Sequence, residues 1–418
     1  MGHDQPVNAL VVALTGDLSA AVVSINRLSP ESLCFVLPES ARPLVETELQ
    51  PKLTQMPRRW DWILLSDIDQ FPSCYQAIAR TLPGILRHWE IQPGSLVVDV
   101  TGATAAMASA LTLVAQPFTS RIVALVLPKE GREGDVVAVE GHDRLWVSIN
   151  PWDEAAEAAR REGGDLFNRG AYVAAGWTFR QIELRVSGGQ KPLYRAFADL
   201  AEGYDLWERF HYRQAWEKLK SAAKTMDMAA LFGGPPGVKA GLPAVKANAG
   251  FLEKLVLDPA EVKEFLAVDL LAHANRRLRT ANDAESAMQS VLRALEAFAQ
   301  RQLFKQHKLK SWDVRPEQLP SAFQETCRAS YLDDVDGKYK LPLHAQFRVL
   351  AALGDPMGQA FLREWPAMKP LLDAANQAVL AHGFEPVKAE RVQQLYEVVV
   401  KVTGVHDSSL PKFPTLSL

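Results

Sequence analysis

The sequence has few cysteines and no excess of charge of one sign. Its three cysteines, Cys34, Cys74 and Cys327, are scattered over 418 residues. An odd number of distant thiols fits a reducing compartment and argues against a disulfide-stabilised fold or a Cys-x-x-Cys metal site. With 46 basic and 49 acidic residues, the net charge gives no support for a nucleic-acid coat or a protein of membrane surfaces.

Membrane and export signals are also missing from the sequence. It contains no run of 18 apolar residues, and its first ten residues, MGHDQPVNAL, lack a basic segment followed by an apolar one. We therefore expect a cytoplasmic protein with no membrane partner. The length suggests two or three domains with ample core.

Short apolar runs alternate with helical patterns over residues 1–150. This alternation predicts an α/β domain with a mostly parallel, Rossmann-like sheet. The predicted strands are Ala9–Leu14, Leu33–Leu37, Trp62–Leu65, Leu96–Val100, Arg121–Leu127, Val136–Val139 and Leu145–Ile149. From residue 151 the strand periodicity stops, and long helical patterns predict an all-α region over 151–418. The Gly/Pro-rich segment 232–249 interrupts those patterns and is expected to be a mobile loop or an interrupted helix–helix connection.

Two predicted strands run into short segments rich in hydroxyl and glycine residues, Thr15–Asp17 and Thr101–Thr104. An Ala-rich helical pattern follows the second segment. A strand, a tight turn and a helix N-terminus direct unpaired backbone N–H groups and a positive helix dipole towards one spot, which suits an anion. Glycine lets the backbone approach a ligand closely. An ordinary strand-to-helix turn gives the same pattern, so a structural role remains the alternative.

The second segment resembles a motif of CRISPR-associated proteins of type III systems that join an N-terminal CARF domain to a C-terminal helical HEPN domain. CARF domains commonly carry a strand ending in Asp, followed by Thr-Gly-Gly-Thr-Lys, a variable residue and Met. This chain has Asp99, Thr101, Gly102, Thr104 and Met107 in the same frame. Alanines stand in place of the second glycine and the lysine, at Ala103 and Ala105.

A second stretch, Ala375–Val387 (ANQAVLAHGFEPV), is similar to the segment that holds the HEPN active site. Three weaker similarities lie between the two motifs, and their order along the chain supports the resemblance. They are Asn150–Asp153 with the helix that follows, Leu200–Ala215 and Ala287–Leu303.

The resemblance implies a metal-independent endoribonuclease that cuts single-stranded RNA. In the family, an Arg and a His about six residues apart act across a homodimer cleft. The His handles a proton and the Arg stabilises phosphate charge while the ribose 2′-hydroxyl attacks the adjacent phosphorus. His382 fits the His position, Asn376 fits an orienting Asn, and Ala375 stands where the Arg is expected. We therefore expect strongly reduced cleavage, whether the arginine was lost naturally or replaced to silence the nuclease.

On the CARF side, the resemblance implies a cyclic oligoadenylate activator, cyclic tetra- or hexa-adenylate, held by two subunits. The residues placed at its phosphates and riboses are Thr15, Gly16, Asp17, Thr101, Gly102, Thr104 and Ala105. Some CARF domains degrade their ligand, but the lysine often used for that reaction is Ala105 here. Natural loss and replacement are the two explanations at this position as well.

Three functions are compatible with these residues. The first is a ribonuclease activated by cyclic oligoadenylate, and the second is a catalytically silent sensor of the same ligand. The third, a Rossmann-like enzyme with a nucleotide cofactor, is disfavoured because Gly16 begins no Gly-x-Gly-x-x-Gly motif and no acidic residue is well placed after the second strand.

Overall fold

The computed structural model describes residues 7–92, 94–231 and 234–418. Packing divides the chain into two compact units. The first runs to Gly163 and also includes Trp177–Ala198, and the second comprises Gly164–Gly176 and Asp199–Leu418.

The first unit is built on a seven-stranded sheet. Its strands are β1 Ala9–Ala13, β2 Ser32–Pro38, β3 Arg59–Leu65, β4 Leu96–Asp99, β5 Thr119–Val126, β6 Asp135–Val139 and β7 His142–Ile149. Their order in the sheet is β3-β2-β1-β4-β5-β7-β6. The first five strands pair in parallel, and β7 joins β5 and β6 in antiparallel fashion at one edge. The mostly parallel sheet predicted from the sequence is confirmed.

Both faces of this sheet are covered. The helices that follow its strands are α1 Ser19–Leu28, the single turn α2 Arg42–Leu44, α3 Phe71–His88 and α4 Ala105–Ala115. Val11 of β1 packs in an apolar cluster with residues of α3 and α4, whereas its neighbour Leu10 packs in a second cluster with residues of α1. Consecutive strand residues point to opposite faces, so a continuous apolar run is what a sheet buried on both sides requires.

The rest of the chain is helical, as predicted. Its helices are α5 Trp152–Asn168, α6 Tyr172–Arg185, α7 Lys191–Glu208, α8 Tyr212–Leu231, α9 Pro236–Leu257, α10 Leu266–Arg279, α11 Ala284–His307, α12 Ser321–Ser330, α13 Leu343–Ala352, α14 Pro356–Asn376 and α15 Ala389–Thr403. The sheet ends at Ile149, next to the predicted domain boundary, although packing assigns part of the following helices to the first unit. In the described part of the chain, no helix is both long enough and apolar enough to cross a membrane.

The prediction of a loop over residues 232–249 is wrong for most of that segment. Phe232 and Gly233 lie outside the described residues, and helix α9 begins at Pro236. Proline is favoured in the first turn of a helix, where its missing N–H costs no hydrogen bond. Val238, Leu242 and Val245 are buried at helical spacing. Burial of this apolar stripe outweighs the poor helix propensity of the segment's glycines and of the internal Pro243.

Candidate ligand-binding and active sites

The strand order brings the two predicted ligand segments together. Strand β1 lies beside β4, and the chain proceeds from β1 towards β2 on one side of the sheet and from β4 towards β5 on the other. Such a reversal of strand order opens a crevice at the carboxyl ends of the strands, where open α/β sheets bind ligands. Thr15–Asp17 follow β1 and Thr101–Ala105 follow β4, so both segments lie at this crevice.

The two segments are in direct contact. The Thr15 hydroxyl donates a hydrogen bond of 3.0 Å to the carbonyl oxygen of Gly102. A Cβ atom built on Gly102 would lie 2.7 Å from the carbonyl oxygen of Ala13. The backbone of the second segment therefore crosses β1 more closely than a residue with a side chain allows.

The buried Asp99 side chain fixes the start of the second segment through hydrogen bonds. Its buried carboxylate accepts hydrogen bonds from the Thr101 backbone N–H at 2.8 Å and from the hydroxyls of Thr101 and Ser24. The Thr101 hydroxyl also accepts from the Leu125 N–H at 3.0 Å. Burial raises the pKa of Asp99, and the hydrogen bonds from Ser24 and Thr101 oppose that shift. Asp99 and Thr101 thus fix the loop, and the role of Ser24 had no signal in the sequence.

Among the remaining predicted ligand residues, some side chains already form hydrogen bonds within the protein and others are exposed. Thr104 caps α4 by accepting from the Met107 N–H at 3.2 Å, and its hydroxyl donates to the carbonyl oxygen of Ile68. Asp17 accepts hydrogen bonds from the Ser19 hydroxyl at 2.6 Å and the Ser19 N–H at 3.0 Å, which hold the pKa of Asp17 below its usual value. Gly16 and Ala105 are exposed. The groups left for a ligand include the N–H groups of Ala105 and Ala106 at the start of α4, which have no acceptor within the helix.

The second candidate site is a tight loop that follows α14. The His382 backbone N–H donates to the carbonyl oxygen of Asn376 at 3.2 Å, and both side chains are exposed. The loop thus brings together two of the three predicted catalytic positions. The third, Ala375, is fully buried in the apolar core of the helical region.

Gly383 makes this loop possible. A Cβ atom built on it would lie 2.1 Å from the carbonyl oxygen of Gln377. That carbonyl also accepts the Glu385 N–H at 3.0 Å, and the Gly383 N–H donates to Ala378 at 3.2 Å. The chain folds back on the end of α14 at van der Waals distance, which excludes any side chain at this position.

Glu285, in the first turn of α11, binds the backbone of the same loop. Its carboxylate accepts the Val387 N–H at 2.8 Å and lies 3.4 Å from the Leu380 N–H. These partners are 102 and 95 residues away in sequence. Sequence reasoning missed Glu285 because acidic residues are common in the first turn of a helix, where they interact favourably with the helix dipole, and so give no sign of a further role.

Replacing Glu285 is expected to loosen this loop. Glu285→Ala removes a charged acceptor from two backbone N–H groups, at a cost of about 1–3 kcal/mol. The amides of Leu380 and Val387 should then exchange hydrogen faster, which amide-resolved hydrogen exchange measures. Glu296→Ala is the matched control, because Glu296 lies on the same helix in a solvent-exposed pair with Arg293. Unchanged protection of both amides in Glu285→Ala would contradict this role.

No three His, Cys, Asp or Glu side chains among the described residues are grouped so that they could hold a metal ion. The fold and the loop after α14 define a class of protein: a Rossmann-like sheet domain followed by helices that carry a HEPN-type loop. Residues 260–406 match the family described as the Csm6 HEPN domain, and residues 156–252 match the Csm6 6H domain. Together the matches span more than half of the chain, which belongs to the CARF–HEPN proteins of type III CRISPR systems.

A solved structure agrees with this assignment at the level of the fold. Csm6 from Enterococcus italicus, bound to cyclic hexa-2′-fluoro-hexa-dAMP, has a TM-score of 0.58 and 10% sequence identity, over 96% of each chain. Can2 from Sulfobacillus thermosulfidooxidans, in complex with cyclic tetra-adenylate, is 12% identical over 49% of this chain and 68% of its own. Its TM-score of 0.24 is too low to support an argument. No curated protein sequence matches the chain.

Proposed function

We propose that this chain is a cytoplasmic antiviral effector in which cyclic oligoadenylate activates metal-independent cleavage of single-stranded RNA. The observation that carries the proposal is the loop after α14, where His382 and Asn376 are exposed side by side within the Csm6 HEPN match. Cleavage is weak in this chain because Ala375 supplies no charge to the phosphate.

The activator is cyclic tetra- or hexa-adenylate, bound at the crevice between the β1 and β4 segments. Its phosphates suit the N-terminus of α4, because the free N–H groups and the helix dipole both favour negative charge there. Gly102 has no side chain, so the centre of the second segment presents only its backbone to a ligand. The structural neighbour from Enterococcus italicus is bound to a cyclic compound of this chemistry.

A homodimer completes both sites. Beside His382, the large apolar side chains of Val379, Leu380 and Phe384 are 54%, 59% and 94% exposed. Apolar side chains clustered at the surface in this way mark an interaction surface. Pairing of two copies through this surface buries the three side chains and brings the two His382 imidazoles towards one RNA strand.

In the chemistry we propose, the ribose 2′-hydroxyl attacks the adjacent phosphorus and the bond from phosphorus to the 5′-oxygen breaks. The 2′-hydroxyl loses its proton and the leaving 5′-oxygen gains one, which gives a 2′,3′-cyclic phosphate and a 5′-hydroxyl. His382 carries one of these protons, as an imidazole can near neutral pH. Asn376 orients the loop and the substrate. An arginine at position 375 would stabilise the negative charge that grows on the phosphate oxygens.

Calorimetric titration with cyclic tetra- and hexa-adenylate tests the sensor half of this function. We expect one of the two rings to bind with one ring per two chains, followed by ligand-dependent cleavage of single-stranded RNA once an arginine is present at position 375. If neither ring binds, the proposal is refuted.

The burial of Ala375 favours a second candidate function. A side chain enclosed in the core cannot contact RNA, which fits a silent sensor that signals through a partner. That function predicts tight binding of the ring and no cleavage by the Ala375→Arg variant.

A further inference from the structure

A cavity of about 360 Å³ lies within the second unit, between the end of α5, α7, α10 and the segment 407–415. Its volume is within the range of small-molecule sites. Five basic side chains line it: Arg169, Arg209, Arg276, Arg277 and Lys412. The acidic residues on its wall are Asp205, Glu208 and Asp407. Positive charge is therefore in excess here, in a chain whose overall charge is slightly negative.

The acidic residues do not neutralise the cavity. Asp205 pairs with Arg209 one helical turn away. Glu208 is shared between two guanidinium groups, 2.6 Å from Arg276 and 3.4 Å from Arg277. Asp407 accepts a hydrogen bond from the Tyr396 hydroxyl at 2.8 Å.

Arg276 has donors that the protein does not use. Its two terminal nitrogens are buried and have no hydrogen-bond acceptor among the described residues. The carboxylate of Asp269 lies 3.7 Å from one of them, and the guanidinium is stacked 4.0 Å from the ring of Phe413. Buried donors without acceptors are costly, and the charge of this guanidinium adds to the positive charge of the cavity that Arg276 lines.

Two further cations at the cavity carry unmatched charge. Arg169 and Lys412 are exposed, and neither forms an ion pair within the described ranges of the chain. The cavity thus combines a flexible ammonium group, the planar donors of Arg169 and Arg277, and the unsatisfied guanidinium of Arg276. Arginine forks match the geometry of phosphate oxygens and bind them through paired, charge-assisted hydrogen bonds.

We propose that this cavity binds a small phosphate-bearing anion, held by Arg169, Arg277 and Lys412. The proposal does not depend on the ligand of the sheet domain or on RNA cleavage. Inorganic phosphate and a nucleoside 5′-monophosphate share the chemistry that the cavity recognises, and parallel titrations distinguish them.

The test is calorimetric titration of the full chain with inorganic phosphate and, separately, with adenosine 5′-monophosphate at low ionic strength. Arg169→Gln and Lys412→Gln each remove one cation, and we expect each to weaken binding about tenfold. Arg213→Gln is the matched control, because Arg213 is an exposed arginine on α8 that does not line the cavity. Its affinity should equal that of the unmodified chain.

Equal affinity for the two probes would identify the phosphate group alone as the ligand, and tighter binding of the nucleotide would identify a mononucleotide site. Both results support the proposal. Two results would overturn it: no saturable binding of either probe, or an equal loss of affinity in Arg213→Gln. Unfolding temperatures of all variants show whether a loss of binding reflects a loss of fold.

Discussion

The Ala375→Arg variant is expected to cleave single-stranded RNA at least about a hundredfold faster than the present chain, and to do so when cyclic oligoadenylate is bound. This factor is the typical effect of one preorganised donor that stabilises transition-state charge. The carbonyl oxygen of Asn376, at the end of α14, already accepts a hydrogen bond from the His382 N–H in the loop. Of the three predicted catalytic groups, the present chain therefore lacks only the guanidinium. The measurement is the initial rate of cleavage of a labelled RNA with and without the ring.

The same substitution is expected to lower the unfolding temperature. Ala375 is fully buried among apolar side chains, and an arginine must thread its aliphatic stem through that packing to bring its charge to the surface. Overpacking of a core costs about 1–3 kcal/mol. The cleavage assay therefore belongs well below the unfolding temperature of the variant, which differential scanning calorimetry gives.

Two controls separate the charge from the change in packing. Ala375→Gln introduces a long polar side chain without a cation, and it should leave cleavage at the level of the present chain. Ala375→Arg combined with His382→Ala keeps the cation and removes the proton-handling group, and its activity should fall back to that level as well. A folded, ring-bound Ala375→Arg protein as inactive as the present chain would favour the silent sensor.

Local pattern was enough to predict the sheet because its central strands are buried on both faces. The strand Ala9–Ala13 and the first three residues of Leu96–Asp99 are short, continuously apolar runs, and helical patterns lie between them. The same reasoning failed at helix α9, where glycine and proline were given more weight than the buried stripe beneath them. Propensity is a weak guide wherever packing decides the structure.

The sequence was enough to predict which segments form the candidate sites, but not the hydrogen bonds within them. The segments after β1 and β4 were recognisable by composition, yet the commitment of Thr104 to the cap of α4 and to Ile68 depends on tertiary contacts. Neighbouring helix residues also point in directions about 100° apart, as 3.6 residues complete one turn. Ala375 and Asn376 are adjacent in sequence, but one is buried and the other exposed. A motif gives spacing without saying which residue faces the solvent.

Gly102→Ala is expected to weaken binding of the cyclic oligoadenylate on the order of a hundredfold, from a clash worth about 2–3 kcal/mol. The added Cβ would lie 2.7 Å from the carbonyl oxygen of Ala13, which is main chain in a central strand and cannot rotate away. The segment after β4 has to move instead, and the hydrogen bond from Thr15 to the Gly102 carbonyl is then lost. Both halves of the proposed crevice shift as a result. Calorimetric titration with the ring measures the loss.

Gly84→Ala is the matched control for this prediction. It makes the same chemical change in the same unit, but nothing lies within 4 Å of the new Cβ, and the position is inside α3. Alanine in a helix interior is favoured over glycine by about 0.5–1 kcal/mol, so this variant should be slightly more stable and bind the ring as tightly as the original. If Gly102→Ala retained full affinity, the contact between the β1 and β4 segments would not shape the ligand site. The ring would then have to be sought elsewhere on the sheet domain.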